Sequence, residues 1–133
     1  MKILLIGNPN VGKSAIFSRL TGVDVMISNY PGTTIELKKG KMKLDDQMVE
    51  VIDVPGTYSL EPTSKAEEVA VNMLKEGDMV INVVDATNME RNLNLTLQLL
   101  ERNIPVIVAL NFWDETRHLG IQINAKKLEN HLD

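Results

Sequence analysis

The residues best suited to chemistry stand near the amino terminus, in Gly7-Asn8-Pro9-Asn10-Val11-Gly12-Lys13-Ser14. They read G-x-x-x-x-G-K-S, between the apolar run Lys2–Ile6 and a stretch able to be helical from Lys13, carrying Ala15, Ile16, Phe17 and Leu20. Glycines at Gly7 and Gly12 let the backbone curl until successive N–H groups converge on a phosphate. The helix that follows adds its unpaired N–H groups and the positive end of its dipole. Lys13 would reach the β- and γ-phosphates, and the Ser14 hydroxyl would ligate Mg²⁺. Asn8, Asn10, Val11 and Ala15 complete the cradle. An ordinary Gly-rich turn could share the glycines, but a strand before and a helix after are the context a phosphate loop requires.

Further polar residues fall at the carboxyl ends of strand-like runs, where open α/β sheets bind ligands. Asp53 begins D-x-x-G with Gly56. Its carboxylate can hold Mg²⁺, through water, while the Gly56 N–H meets a γ-phosphate; a plain Asp-Pro-Gly turn is the alternative. Thr34 is the candidate to complete the Mg²⁺ shell, with Thr33 its rival, since spacing alone does not choose. Asn111-Phe112-Trp113-Asp114 reads N-x-x-D. A carboxylate at Asp114 can accept the paired N–H groups that guanine offers and adenine lacks, and an unmet polar group discriminates strongly. Asn111 would support that loop and touch the base edge; Asp114 as a helix cap is the other reading. Phe112 and Trp113 are expected to plug the core rather than stack on a base.

The elements that must position these groups follow from periodicity and breakers. Gly22 is the stop expected for the first helix, and Val23 to Thr34 reads as an irregular, mobile loop. Ile35–Leu44 and Met48–Asp53 read as a hairpin turning at Asp45-Asp46, the second strand deeper. Thr63 or Ser64 caps a helix over Lys65–Lys75, ended by Gly77, with Glu67 and Glu68 solvated near its dipole. Met79–Val84 reads as a strand covered on both faces. A helix from Thr87 or Asn88 to Arg102 would bury Met89, Leu93, Leu97 and Leu100. Val106–Leu110 is a second buried strand, and Asn124 caps a last amphipathic segment through Leu128 and Leu132. This alternation predicts a P-loop, doubly wound, mostly parallel α/β sheet with one antiparallel edge hairpin, as one domain over 1–133.

Composition narrows the function classes. The 133 residues, 44% apolar and 24% charged, carry a net charge of −4, which speaks against nucleic acid as the main partner. No cysteine is present, so neither a disulfide framework nor a thiolate metal site is available. His118 and His131 have nothing at metal-ligand spacing and read as surface residues. The apolar stretch Ile104–Leu110 is too short to span a bilayer, and the direct entry into a core strand leaves no room for a signal peptide.

P-loop, loop threonine, D-x-x-G and N-x-x-D, in this order, resemble a small GTPase domain of the translation-factor-like class. GNPNVGKS, SNYPGTTIE, DVPGTYSL, VVDATNMERNLNLTLQL and NFWDE together resemble the amino-terminal G domain of the FeoB family, ferrous-iron transport protein B, across essentially all 133 residues. The resemblance implies a guanine-nucleotide switch, binding GTP and GDP with Mg²⁺ and hydrolysing GTP slowly. It makes Thr34 the switch I threonine, puts Asp53 and Gly56 in switch II, and gives Asn111 and Asp114 nucleotide contacts. It further implies coupling to ferrous-iron uptake by a membrane-embedded region of the same polypeptide, at the cytoplasmic face of the cell membrane, and leaves oligomerisation open.

Three departures stand out. Thr57 occupies the place of the glutamine that orients water in Ras-like proteins. Phe112 replaces the lysine of N-K-x-D, a substitution the family tolerates. The chain stops at Asp133, before the last strand and the final guanine-binding loop expected of the class. Neither switch loop contains an arginine, and an asparagine at the Asn10 position in such GTPases is similar to a potassium ligand. Asn10 with phosphate oxygens and switch I carbonyls would hold K⁺ where an arginine otherwise acts, beside Lys13 and Thr34 as the groups engaged in catalysis; the alternative is that Asn10 only shapes the turn. Two other functions share the cradle: a soluble GTPase of ribosome or tRNA assembly, disfavoured by the acidic balance, and an ATPase or small-molecule kinase, disfavoured by Asp114.

Overall fold

Alternation along the first strand sets the architecture. Ile3 and Leu5 point to one face of the sheet, Leu4 and Ile6 to the other, and all four are at most 2% exposed. A strand apolar on both faces must be covered on both, which places it at the sheet's centre. A computed structural model describes residues 1–22 and 24–114. Its elements are β1 (Lys2–Gly7), α1 (Lys13–Leu20), β2 (Met26–Asn29), β3 (Glu36–Leu44), β4 (Gln47–Asp53), α2 (Lys65–Leu74), β5 (Met79–Asp85), α3 (Met89–Leu100) and β6 (Val106–Asn111), with a 3₁₀ turn at Ala86–Asn88.

The described strands make one six-stranded sheet in the order β2-β3-β4-β1-β5-β6. β1 runs parallel to β4 and β5, and β5 parallel to β6, whereas β2–β3 and β3–β4 are antiparallel. On one face Phe17 of α1 packs on Ile3, Leu5, Val49, Val51 and Val83. On the other, α2 (Val69, Ala70, Met73) and α3 (Leu95, Leu99) cover Leu4, Ile6, Ile52 and Val80. Each fully buried Leu or Ile here contributes about 2 kcal/mol of transfer free energy. The mostly parallel doubly wound sheet is the predicted class.

Local chemistry accounts for the element ends. Ser64 caps α2, its hydroxyl accepting from the Glu67 N–H at 3.4 Å. The Glu67 carboxylate reaches back to the Thr63 hydroxyl at 2.7 Å and the Thr63 N–H at 3.2 Å, a capping-box exchange shifted by one residue. Those bonds hold its carboxyl below the usual value, so Glu67 is a cap rather than merely solvated. α1 ends at Thr21, whose N–H and hydroxyl both donate to the Phe17 carbonyl, one residue before the expected Gly22. The β3–β4 turn falls at Asp45-Asp46, with φ of 48° and 68°, the left-handed pair of a type I′ hairpin.

Three expectations need correction. The segment read as an irregular loop contains β2, and β2 with β3 forms a second hairpin. Tyr30 N–H donates to the Ile35 carbonyl and Thr33 N–H to the Tyr30 carbonyl, across Pro31-Gly32 with Gly32 at φ 78°, the signature of a type II turn. All four residues of β2 are exposed, so no apolar alternation marked it. The predicted edge hairpin is therefore a three-stranded antiparallel section.

The second correction concerns α3, which buries Asn92, Leu95, Thr96 and Leu99, while Leu97 is 51% exposed. The polar pair is turned inward because β5 supplies partners. Asn82, itself buried, accepts from the Thr96 hydroxyl and donates to the Ile6 carbonyl; Asn92 accepts from Asp85 N–H and donates to the Asn88 carbonyl. Third, among the described residues β6 is the outermost strand on its side of the sheet and is partly buried, with Ile107 exposed, rather than a fully buried strand. The expected segment at 124–132, Gly120, His118 and His131 lie outside the described residues.

Candidate functional site

The parallel strands deliver their last residues to one edge of the sheet. Gly7 ends β1, Asp53 ends β4, Asp85 ends β5 and Asn111 ends β6. The predicted P-loop lies across this edge and opens into α1. A cavity of about 510 Å³ sits there, lined by Asn8, Pro9, Asn10, Gly12, Lys13, Ser14 and Gly56. Residues named from two distant motifs thus share one concavity.

The loop's shape comes from two left-handed residues. Asn10 has φ 65° and Gly12 φ 82°, a conformation costly for most side chains. At Gly12 there is no space for one either, since a Cβ would collide with the Asn111 amide nitrogen and stand 3.1 Å from the Phe112 ring. The Asn111 amide donates to the Val11 carbonyl at 2.9 Å, tying the phosphate loop to the N-x-x-D loop. Asn111 therefore ties the P-loop to the loop that follows β6. Phe112, at φ 59° and 38% exposed, and Trp113, equally exposed, are not core plugs. Asp114 is exposed at the end of the described chain.

Lys13 lies against the Asp53 carboxylate and also donates to the Val54 carbonyl. Each side chain of the pair is about a tenth exposed, 11% and 9%. Ser14 is exposed beside them. Gly56 packs on the P-loop, where a Cβ would stand 3.0 Å from Pro9. The following Thr57 donates its N–H to the Gly7 carbonyl at 3.1 Å, while its buried hydroxyl finds no partner among the described residues. Asn8 is 3% exposed; its amide donates to the Arg91 carbonyl at 3.2 Å, and its oxygen has no partner among the described residues. Val11 is buried and Ala15 exposed on α1.

The two threonines of the first loop differ. The Thr33 hydroxyl is used locally, donating to the Tyr30 carbonyl at 2.8 Å and accepting from Ile35 N–H at 3.1 Å. Thr34 is exposed at the hairpin tip and its hydroxyl makes no hydrogen bond among the described residues.

This arrangement fits a nucleotide and its cation. Lys13 beside the open start of α1 suits phosphate; Asp53, Ser14 and a free hydroxyl at Thr34 are hard oxygen donors of the kind Mg²⁺ takes. Asn10, lining the cavity with an amide that makes no hydrogen bond among the described residues, has a carbonyl oxygen to offer a monovalent cation. Among the described residues no group of three or more His, Cys, Asp or Glu could hold a metal, and no helix is long and apolar enough to cross a membrane.

Reading the sequence missed Tyr58, Arg91 and Gln98. The Arg91 guanidinium lies over the Tyr58 ring, 4.7 Å from its centroid, and the Gln98 side chain accepts from Leu60 N–H at 2.6 Å. Arg91 and Gln98 are one heptad apart, which was a legible signal that both lie on one face of a helix, but nothing in the sequence said what they face.

Comparison with known proteins agrees with this geometry. The family model Ferrous iron transport protein B matches residues 1–133. The Fe(2+) transport protein A/Fe(2+) transporter FeoB fusion protein of Porphyromonas gingivalis is 48% identical over 123 residues, covering 90% of this chain and 15% of that protein. The Fe(2+) transporter FeoB of Legionella pneumophila is 45% identical over 135 residues, covering 97% and 18%. The chain thus spans less than a fifth of the curated relatives it matches. Among solved structures, the GDP-bound A143S mutant of the S. thermophilus FeoB G-domain superposes with a TM-score of 0.92 at 47% identity, over 98% of this chain and 51% of that one.

Proposed function

This chain belongs to the ferrous iron transport protein B family, and on that premise we propose that it is the GTP-binding and GTP-hydrolysing switch domain of a ferrous-iron uptake protein. The observation that carries the reading is the closure of the P-loop onto the N-x-x-D loop through Asn111 and Val11. It brings the phosphate loop against the loop that carries Asp114. In this reading residues 1–133 are the G domain of a longer polypeptide, lying at the cytoplasmic face of the cell membrane, and a membrane-embedded region of that polypeptide carries the iron inward.

Binding begins with Lys13 leaving Asp53 for the β- and γ-phosphates. The N–H groups of Asn8 and of Asn10 to Ala15 enclose the phosphates, Gly7 and Gly12 allowing the approach, and Asp114 pairs with guanine. Ser14, Thr34 and Asp53 would hold Mg²⁺, which when bound neutralises charge on the phosphate oxygens. Gly56 N–H meets the γ-phosphate, and a backbone group near Thr57 would align the attacking water. Asn10 would hold K⁺ beside the phosphates, supplying the positive charge an arginine supplies elsewhere. Ordering of the Thr34 and Gly56 loops around γ-phosphate, and their release after hydrolysis, is the switch.

Displacement of labelled GDP tests the reading. GTP should compete at least about a hundredfold better than ATP, and Asp114→Asn should shift preference toward xanthine nucleotides. Equal competition by ATP, or an unchanged preference in the variant, removes the guanine assignment.

A further inference from the structure

The segment from Val54 to Ser64 belongs to no helix or strand, so no ladder of backbone bonds fixes it. Its path depends on individual ties. At its start Val54 N–H donates to the Leu5 carbonyl, Lys13 donates to the Val54 carbonyl, and Thr57 N–H donates to the Gly7 carbonyl. Two further ties, on the middle of the segment, come from α3: Gln98 on the Leu60 N–H, and the Arg91 guanidinium on the Tyr58 ring. α3 is a firm anchor, because Asn92 and Thr96 fasten it to β5 by buried hydrogen bonds. Arg91 reaches the phosphate loop as well, its carbonyl accepting from the Asn8 amide. A polar cavity of about 150 Å³ lies beneath, walled in part by Asn8, Asn10, Tyr58 and Arg91.

We propose that Arg91 and Gln98 form a two-point clamp on switch II, and that Arg91 is a positioning residue for hydrolysis acting through Tyr58. The chemical reason is the absence of a glutamine after Gly56. With Thr57 in that place, water alignment falls to backbone groups of the loop itself, and these are only as well placed as the loop is held. The aromatic face gives the guanidinium a sequence-tolerant seat that survives partial exposure. Tyr58 is 45% exposed, so the pair adds little to global stability and its loss registers in the loop. The hydrolytic part rests on the GTPase reading above; the clamp itself does not.

The experiment uses the intact polypeptide, four single variants (Arg91→Ala, Arg91→Lys, Tyr58→Leu and Tyr58→Phe) and one double variant. Arg91→Ala and Tyr58→Leu should each lower kcat for GTP about three- to tenfold, the size expected of one partly exposed cation–aromatic contact. KM and GDP affinity should stay within about twofold, since the substrate is not touched. Tyr58→Phe keeps the ring and Arg91→Lys keeps a cation, so both should retain most of the rate. The double variant Arg91→Ala/Tyr58→Leu should be no slower than either single one. Amide exchange over residues 55–62 without nucleotide should quicken in Arg91→Ala. A multiplicative double variant, a wild-type rate in Arg91→Ala, or equal losses in kcat and GDP affinity overturns the positioning role. Unchanged exchange overturns the clamp. A wild-type protein that never hydrolyses GTP overturns the function instead, and the exchange result still decides the clamp.

Discussion

The Lys13 ammonium is held by the Asp53 carboxylate, at the carboxyl ends of neighbouring parallel strands, with the Val54 carbonyl as a second acceptor. Both charges have other partners in the proposed reading: phosphate for the lysine, Mg²⁺ for the carboxylate. Nucleotide and cation must therefore exchange one buried ion pair for two new contacts.

That exchange predicts opposite effects of the two partners. Asp53→Asn frees Lys13, so GDP affinity without Mg²⁺ should rise about three- to tenfold, while the gain that Mg²⁺ gives GTP binding disappears. Lys13→Ala should weaken nucleotide binding at least about a hundredfold and lower ligand-free stability by about 3 kcal/mol, because Asp53 is left charged and unpaired. Fluorescent-nucleotide titration and thermal melting measure both. A loss of Mg²⁺-free GDP affinity in Asp53→Asn would show that the pair does not compete with phosphate.

Gly12 offers a steric test of the joint between the two loops. An alanine there meets the Asn111 amide and must also adopt φ 82°, a left-handed strain of about 1–2 kcal/mol before any clash. Gly12→Ala should break the Asn111–Val11 bond and cost GDP affinity at least about a hundredfold. Asn111→Ala removes the same bond without the clash and should cost about tenfold, the size of one neutral hydrogen bond. Equal, negligible losses in both would mean that the loops act independently.

Asn10 can be tested without disturbing the loop it sits in. Its φ of 65° suits glycine and strains alanine, so Asn10→Gly removes the amide while relieving the backbone. If Asn10 supplies an oxygen to K⁺, GTP turnover in K⁺ should exceed that in Na⁺ at least about tenfold for the wild type, and both Asn10→Gly and Asn10→Ala should lose the difference. If Asn10 only shapes the turn, Asn10→Gly keeps full K⁺ stimulation and only Asn10→Ala is impaired. Rates that do not distinguish the two cations in the wild type end the potassium assignment.

The chemistry of the site was more legible than the faces of the elements around it. A phosphate loop constrains residue type at fixed spacing, so Gly7 to Ser14 declared itself, and the strand end at Asp53 followed from an apolar run that stops at a carboxylate. β2 was invisible because Met26 to Asn29 is exposed on both sides, and only its ladder to β3 makes it a strand. The register of α3 misled for a related reason: leucines at 93, 95, 97, 99 and 100 surround the helix, and the decision fell to Asn92 and Thr96, whose partners lie on β5. The Lys13–Asp53 pair and the Arg91–Tyr58 contact span forty and thirty-three positions respectively. No local pattern announces such tertiary meetings.

The buried polar network behind α3 predicts a stability effect separable from function. Thr96 is fully buried, and its hydroxyl donates to the Asn82 oxygen, while the Asn82 amide donates to the Ile6 carbonyl at 3.1 Å. Valine matches threonine in shape but has no donor. Thr96→Val should therefore leave the Asn82 oxygen desolvated and unpaired and cost about 1–3 kcal/mol. Thr96→Ser keeps the donor, loses one methyl, and should cost no more than about 1 kcal/mol. Because neither side chain touches the phosphate cavity, GDP affinity at 20 °C should be unchanged in both, and denaturant unfolding carries the whole effect. A Thr96→Val protein as stable as the wild type would mean that packing, rather than the Asn82–Thr96 bond, sets the face that α3 turns to the sheet.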